Sequence, residues 1–385
     1  MIAAEIEESM DLLDKKITWK DLATAVKLSP GSLTNLKNGA EMKFPTLLEI
    51  AKFIYKNEHI NRFKKWCLNF DSPKNLRFAL EYLAVNRQLK ELDELIMKIT
   101  KQRTDQTMKE WAQGYSILSR YLKREKAEDI INELRGFTPK TKEMQILALI
   151  TEVWCRYKLN DFKTMSLLIS GLEYAINKIN EDFIRDSYGI RLNEVLAYVN
   201  LYKFNNITLA REIAEKIIFS NCSATFTTSA SYILGMSFLF DNYEKCLGYI
   251  ERHRELLVES GRLKELEVID NCDIPFINNV WRKQERPNTN DISELAHFEA
   301  VVGNKELALE LINKAIENEE KEGRKPSGFK FYYKALATND ASLFMKSLIM
   351  FSKNGDKFYA NLPYKYLKED ETFKSMAALL IDEEN

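Results

Sequence analysis

The stretch "SPGSLTNLKNG" runs from Ser29 to Gly39. On a helix opened by Ser29 and Pro30, Leu33 and Leu36 face inward while Ser32, Asn35 and Lys37 point out. Thr34 stands among them, and Ser29 and Asn38 lie at the two ends. These side chains make and read hydrogen bonds; none of them breaks covalent bonds. An Asn amide pairs bidentately with adenine, Ser and Thr hydroxyls bond bases or phosphates, and a Lys ammonium finds guanine or phosphate. Other chemistries have no such residues. The three histidines, His59, His253 and His297, never fall at metal-ligand spacing. The sequence contains no phosphate-cradling glycine loop, no nucleophile elbow and no cysteine beside an orienting base. Acid pairs such as Glu7–Glu8 and Glu383–Glu384 sit in charged runs. The reading is of a binding protein, not an enzyme, with no metal and no cofactor.

The elements that would hold the polar face are legible on either side of it. Thr18 can cap a helix over Trp19 to Val26, with Asp21 completing a capping box and Leu22, Ala23 and Val26 as its inner stripe. Ser29 can cap the second helix with Pro30 at its first position, and Gly39 can end it. The segment "FPTLLEIAKFIY" offers Thr46 and Glu49 as another capping box and Leu47, Leu48, Ile50 and Ile54 as core, a brace for the pair. Two helices joined by a tight turn, the second with a polar outer face, make a helix-turn-helix whose second helix enters the major groove of double-stranded operator DNA.

Bulk composition confines that contact to one place. The chain has 385 residues, 45% apolar and 29% charged, with net charge −1. A protein coating nucleic acid along its length would be strongly basic. Thirteen glycines and eight prolines are few for this length and disfavour a β-rich fold. No apolar run reaches the roughly eighteen residues that cross a bilayer. The acidic start "MIAAEIEESMDLLDKK" is unlike a signal peptide. Cys67, Cys155, Cys222, Cys246 and Cys272 are odd in number and scattered, which reads as buried reduced thiols of a cytoplasmic protein.

From about Asn61 the sequence is helix after helix, and a short pattern recurs. "DFKTM" (161–165), "NITLA" (206–210), "NYEKC" (242–246), "NKELA" (304–308) and "DASLF" (340–344) each open an apolar helix; "QLKEL" (88–92) and "REKA" (124–127) are weaker copies. Their spacing brackets the period of a tetratricopeptide-type helical hairpin, about 34 residues, with insertions. A small residue at the last position lets paired helices approach. One hairpin cannot bury its own apolar face, so hairpins stack into a superhelix with a concave surface suited to extended peptides. "RKQERPNTND" (282–291) and "EEKEGRKPSG" (319–328) read as surface loops. Near the end, Phe373, Met376, Leu379 and Leu380 form an amphipathic stripe that either caps the superhelix or pairs with a second copy. The expected fold is all-α: a helix-turn-helix domain (1–58), a tetratricopeptide-like repeat domain (59–363) and a C-terminal capping or dimerisation segment (364–385).

This layout resembles the peptide-gated regulators of Gram-positive bacteria and their phages. Within that group the chain is similar to the arbitrium receptor family (AimR) of temperate Bacillus phages. The segments that carry the resemblance are "WCLNFD" (66–71), "ALEYL" (79–83), "KTKEM" (140–144), "FINNVW" (276–281), "FKFYYKA" (329–335) and "GDKFY" (355–359). The resemblance implies a homodimer in the cytoplasm of a bacterial host. It would activate a phage promoter that drives lysis and fall silent when a short signalling peptide fills its groove. It implies that an arginine of the peptide meets Asp356 in "GDKFY" and Glu294 in "DISELAHF", that Phe276 and Phe358 form apolar walls, and that Asn200 clamps the peptide backbone, with Asn193 and Asn278 in reserve. Each residue also has a plainer reading: Asp356 as a loop or helix-cap acid, the two phenylalanines as core, Asn200 as a solvated helix residue. Two other functions fit the same architecture. One is a chromosomal quorum-sensing regulator. The other is a repeat scaffold that sequesters a protein partner under peptide control, which would need an apolar outer face on the second helix.

Overall fold

Thr18 begins a helix as its type predicts. Its hydroxyl accepts the Asp21 N–H at 3.2 Å while the Asp21 carboxylate accepts the Thr18 N–H at 2.9 Å, which closes the capping box. The helix spans Trp19–Ala25, one residue short of the expected end, with Val26 as its C-cap. Lys27 then adopts a left-handed backbone (φ 54°). Ser29 caps the next helix, Pro30–Lys37, by accepting the Ser32 N–H at 3.2 Å. Gly39, at φ 84°, ends it: its N–H donates to the Leu36 carbonyl at 3.0 Å and that of Ala40 to the Asn35 carbonyl at 2.9 Å, a Schellman stop. Leu22, Leu33 and Leu36 are buried, while Ala23 and Val26 are half-buried.

The computed structural model describes residues 2–12, 17–220 and 222–382, all helices and connecting turns with no strand among them. The Glu383–Glu384 pair and the last three residues of the 364–385 segment lie outside the described residues.

Two expectations at the N-terminus need correction. The Thr46–Glu49 capping box does not form. The third helix starts earlier, at Phe44, with Pro45 in its first turn and no side-chain cap from Lys43. The Phe44 N–H is instead taken by the Asn75 side-chain oxygen at 2.8 Å, and Glu49 pairs with Lys52 at 3.0 Å. The acidic N-terminus is itself a helix, Ile2–Asp11, burying Ile6 and Met10. Its Glu5 accepts the Trp66 indole N–H at 2.8 Å. Phe44 is the hub of the core here, with the rings of Phe63, Phe70, Phe78, Tyr82 and Phe183 centred 5.1 to 5.8 Å away.

The chain forms two compact units, residues 1–191 and 192–385, and the break falls within the helix Asp182–Tyr202. In the first unit a buried ion pair joins distant helices: Arg191 donates to Glu81 at 2.9 and 3.1 Å, with Tyr115 donating at 2.9 Å and Ser187 also bonded to the same carboxylate.

The recurring short pattern has a physical cause. Asp161, Asn206, Asn242 and Asp340 each accept a backbone N–H of the helix they open. The last residue of every copy is buried: Leu92, Ala127, Met165, Ala210, Cys246, Ala308 and Phe344. Smallness there is not general, since Met165 and Phe344 fill the position too. Close approach comes in one hairpin from Gly235, where a Cβ would lie 2.7 Å from Ile250 and 3.1 Å from the Cys246 carbonyl. Residues 282–291 form a loop, whereas the helix Lys305–Lys321 runs into the second polar segment and leaves only 322–327 outside helices. All five cysteines are free thiols; Cys67, Cys155 and Cys246 are buried, but Cys222 and Cys272 are only half-buried. The helix Lys374–Asp382 buries Ala377 and leaves Met376 and Leu379 exposed, with Phe373 and Leu380 half-buried.

Candidate functional site

The polar face of Pro30–Lys37 stands in solvent. Ser29, Thr34, Asn35, Lys37 and Asn38 are exposed and Ser32 is half-buried. The Ser29 and Ser32 hydroxyls bond each other at 2.9 Å. The Lys37 ammonium lies 4.7 Å above the Trp19 ring, a cation–π contact that ties the two helices together.

In the second unit, residues from four of its segments meet around Tyr359. Its ring is 5.2 Å from Phe358, 5.9 Å from Phe276, 4.9 Å from Phe329 and 5.5 Å from Tyr202. Phe276 and Phe358 are buried, and Phe358 also meets Phe240 at 5.0 Å. Asp356 is the N-cap of the helix Lys357–Leu367, its carboxylate accepting the Tyr359 N–H at 3.4 Å. The plainer reading of Asp356 as a cap is therefore part of its role. Burial pushes its carboxyl up to about 6, against the opposing pull of the nearby Lys203 ammonium and the Tyr359 N–H.

Glu294 lies in the first turn of the helix Ile292–Val302, 7% exposed. Tyr333 donates to it at 2.6 Å, Asn279 at 3.2 Å, and the His297 ring nitrogen Nδ1 sits 3.3 Å away. His297 stacks on Tyr333 at 4.1 Å and meets Phe276 at 5.9 Å. Glu294 thus connects through rings to Tyr359 and Asp356. Asn200 is buried, and its amide nitrogen donates to the Leu196 carbonyl at 2.8 Å, which leaves its side-chain oxygen as the acceptor. Asn278 accepts the Tyr243 hydroxyl at 2.9 Å, and Asn193 is half-buried.

Residues 59–369 match the AimR transcriptional regulator-like family. The chain belongs to that family. The AimR transcriptional regulator of Bacillus phage phi3T is 24% identical over 331 residues, covering 84% of this chain and 85% of that protein. An uncharacterised protein of Bacillus anthracis is 30% identical over 269 residues, 66% of this chain and 92% of that protein. Among solved structures, selenomethionine-labelled phAimR aligns with a TM-score of 0.76 at 20% identity, covering 99% of this chain and all of that one. A phAimR structure with ligand aligns with a TM-score of 0.72 at 21% identity, covering 85% and 97%. The all-helical fold is thus that of AimR, and the chain is an AimR-like transcriptional regulator. No helix among the described residues is long and apolar enough to cross a membrane.

Three of the resemblance segments, all in the second unit, meet in one place. "FINNVW" supplies Phe276 and Asn279, "FKFYYKA" supplies Phe329 and Tyr333, and "GDKFY" supplies Asp356, Phe358 and Tyr359. Sequence reading missed several members of this cluster. His297 follows Glu294 by three residues, one helical turn, and that spacing was available as a signal. Asp273 was not signalled: it ends a π-helical turn, Ile269–Asp273, and accepts the Tyr232 hydroxyl at 3.1 Å. Burial pushes Asp273 up to about 6; the Tyr232 hydrogen bond lowers it and the Glu294 charge raises it.

Proposed function

We propose that this AimR-like regulator is peptide-gated and controls a phage lysis–lysogeny decision. In this reading it binds operator DNA as a dimer, activates a promoter when free of peptide, and is silenced when a short arginine-containing peptide binds. The observation that carries the reading is the contact of Phe276 and Phe358 with the Tyr359 ring, with the Asp356 carboxylate on the Tyr359 N–H and Glu294 joined to Phe276 through the His297 ring. It puts acids at two ends of an aromatic wall in a chain of net charge −1, where only local acids can select a cation. Asn200 offers its side-chain oxygen to the peptide backbone. Ser29, Ser32, Thr34, Asn35, Lys37 and Asn38 face the operator. Their polar, exposed surface favours DNA over a docked protein, which would call for an apolar face. Met376 and Leu379, with Phe373 and Leu380, form the dimer contact.

Gating requires the peptide to favour one arrangement of the protein over another, and the coupling is reciprocal. The test is a gel shift on DNA flanking the gene, with and without a library of short peptides carrying one arginine. Peptide should weaken the shift, and operator DNA should weaken peptide binding by the same factor. DNA binding that ignores every peptide able to bind the protein overturns the gating.

A further inference from the structure

Glu41 follows Gly39, the glycine that ends the helix Pro30–Lys37, by two residues, and it reaches across to another element. Four donors meet its carboxylate: the Asp71 N–H at 2.8 Å, the Ser72 N–H at 3.1 Å, the Ser72 hydroxyl at 2.7 Å and the Asn75 amide at 2.5 Å. They belong to the start of the helix Pro73–Val85. Asn75, 5% exposed, spends its other bonds on the same segment. Its Nδ2 also donates to the Met42 carbonyl at 2.8 Å, and its Oδ1 accepts the Phe44 N–H at 2.8 Å. The chain leaving the polar-faced helix is thus gripped at Glu41, Met42 and Phe44.

The receiving end is fixed as well. Lys98, from the helix Leu89–Gln102, donates to the Leu68 and Phe70 carbonyls at 3.0 and 2.8 Å and pairs with Asp71 at 3.0 Å. The Phe44 ring packs on Phe78 and Tyr82 of Pro73–Val85, and Glu81 of that helix carries the buried Arg191 pair. Capping does not require Glu41, because the Ser72 hydroxyl already accepts the Asn75 N–H. Glu41 is exposed, so burial does not keep it there. Burial raises its carboxyl, but the bonds from Ser72, Asp71 and Asn75 outweigh that and hold it below the ordinary glutamate value. Charge-assisted bonds are short and directional, so together they fix an angle as well as a distance.

We propose that Glu41, with Ser72 and Asn75, is a positioning latch that fixes the operator-reading helix on the first repeat helices, so that the regulator accepts half-sites at one spacing only. The inference rests on the reading of the chain as a dimeric operator binder and adds which residues set the aim of each head. Two heads on one duplex gain affinity from effective concentration only while both reach their half-sites. Two extra base pairs turn the second half-site by about 70° around the duplex axis. A latched head cannot follow that turn; a released head can.

The experiment uses the full chain and the flanking DNA fragment that it shifts in a gel, with the half-sites located by footprinting. Fluorescence anisotropy compares three duplexes: the native site, the same site lengthened by two base pairs between its half-sites, and a single half-site. The parent should prefer native over lengthened DNA by at least about tenfold. Glu41→Ala should bring that ratio to within about threefold of one, through weaker binding of the native site, and leave the single half-site unchanged. Glu41→Gln sets an amide N–H against those donors whichever way it turns; it should act in the same direction, and it decides should Glu41→Ala not fold. A ratio unchanged in the folded variants overturns the inference and leaves the dimeric reading standing. So does a parent that binds native and lengthened DNA alike, both more tightly than the half-site. Half-site binding that weakens as much as native-site binding also overturns it, since Glu41 would then support the helix itself. If the parent binds all three duplexes alike, the dimeric reading fails and the inference with it.

Discussion

Asp356→Asn separates the two roles that meet at Asp356. Asparagine is as good an N-cap as aspartate, so the bond to the Tyr359 N–H can persist while the charge is gone. Folding raises the Asp356 pKa from 3.8 to about 6, so the folded chain holds that proton more tightly than the unfolded chain. The stability so gained is full below about pH 4 and is lost as pH rises through about 6. At pH 7 the ionised carboxylate is thus a burden. Two pH units at about 1.4 kcal/mol each give an upper bound of about 3 kcal/mol; partial exposure screens this to the order of 1 kcal/mol. Asp356→Asn should therefore melt at or slightly above the parent at pH 7, with a smaller loss of stability between pH 4 and 6. Some slope should remain, because Asp273 titrates in the same window. Peptide binding should fall by about 2–5 kcal/mol, the cost of a guanidinium deprived of its buried partner. That is roughly thirty- to several-thousand-fold. Asp356→Ala should lose the cap as well, at about 1 kcal/mol. Calorimetry with the arginine library and melting curves from pH 4 to 7 decide the matter. Peptide binding as tight as the parent's would refute the acceptor role. A melting point several degrees lower at pH 7 would show that the charge itself is structural.

Glu81→Gln strands the Arg191 guanidinium in the core and should cost about 3–5 kcal/mol in denaturant unfolding; Glu81→Leu with Arg191→Met should recover most of that loss, and a single variant within 1 kcal/mol of the parent would contradict the pairing. Asn35→Ala should lose about 1–3 kcal/mol of specific operator binding, whereas Lys37→Ala should weaken all DNA about equally and flatten the salt dependence; operator binding unchanged in both would exclude this helix as the reader. Removing the residues after Lys368 takes away Met376 and Leu379 and should give a monomer in sedimentation, so a truncated chain that stays dimeric points to another interface.

The elements were more legible in the sequence than the site. Thr18, Ser29 and Gly39 act locally, through bonds to residues no more than four or five positions away, and local bonds are readable from residue type. The same holds for Asp161, Asn242 and Asp340 at the starts of repeat helices. Thr46 misled because a distant residue, Asn75, takes the Phe44 N–H and sets the helix start. The ring cluster lay beyond local reading for the same reason. Phe276, Phe329 and Tyr359 are separated by 53 and 30 residues and meet only after the hairpins fold. Asp273 depends on a π-turn, one extra residue in a helical turn, and no residue type announces it.

The contrast between the two buried acids carries the argument furthest. Glu81 is satisfied within the chain: an arginine, a tyrosine and a serine complete its shell, and an outside ligand would find nothing to add. Glu294 has a shell of equal size, Tyr333, Asn279 and His297, but neither arginine nor lysine in it, and two buried polar atoms beside it, Asn279 Oδ1 and His297 Nε2, have no hydrogen-bond partner. Asp273, nearby in its electrostatic influence, is held by a neutral tyrosine. A fold pays for such uncompensated charge in stability, and a cation that binds there repays it. On that reading, the ligand stabilises the folded state by an amount that grows with the logarithm of its concentration over its dissociation constant. The melting temperature of the protein should then rise with an arginine peptide and stay flat with its citrulline analogue. That difference isolates the charge from the shape of the ligand. It would vanish in Glu294→Gln if the carboxylate is what the cation relieves.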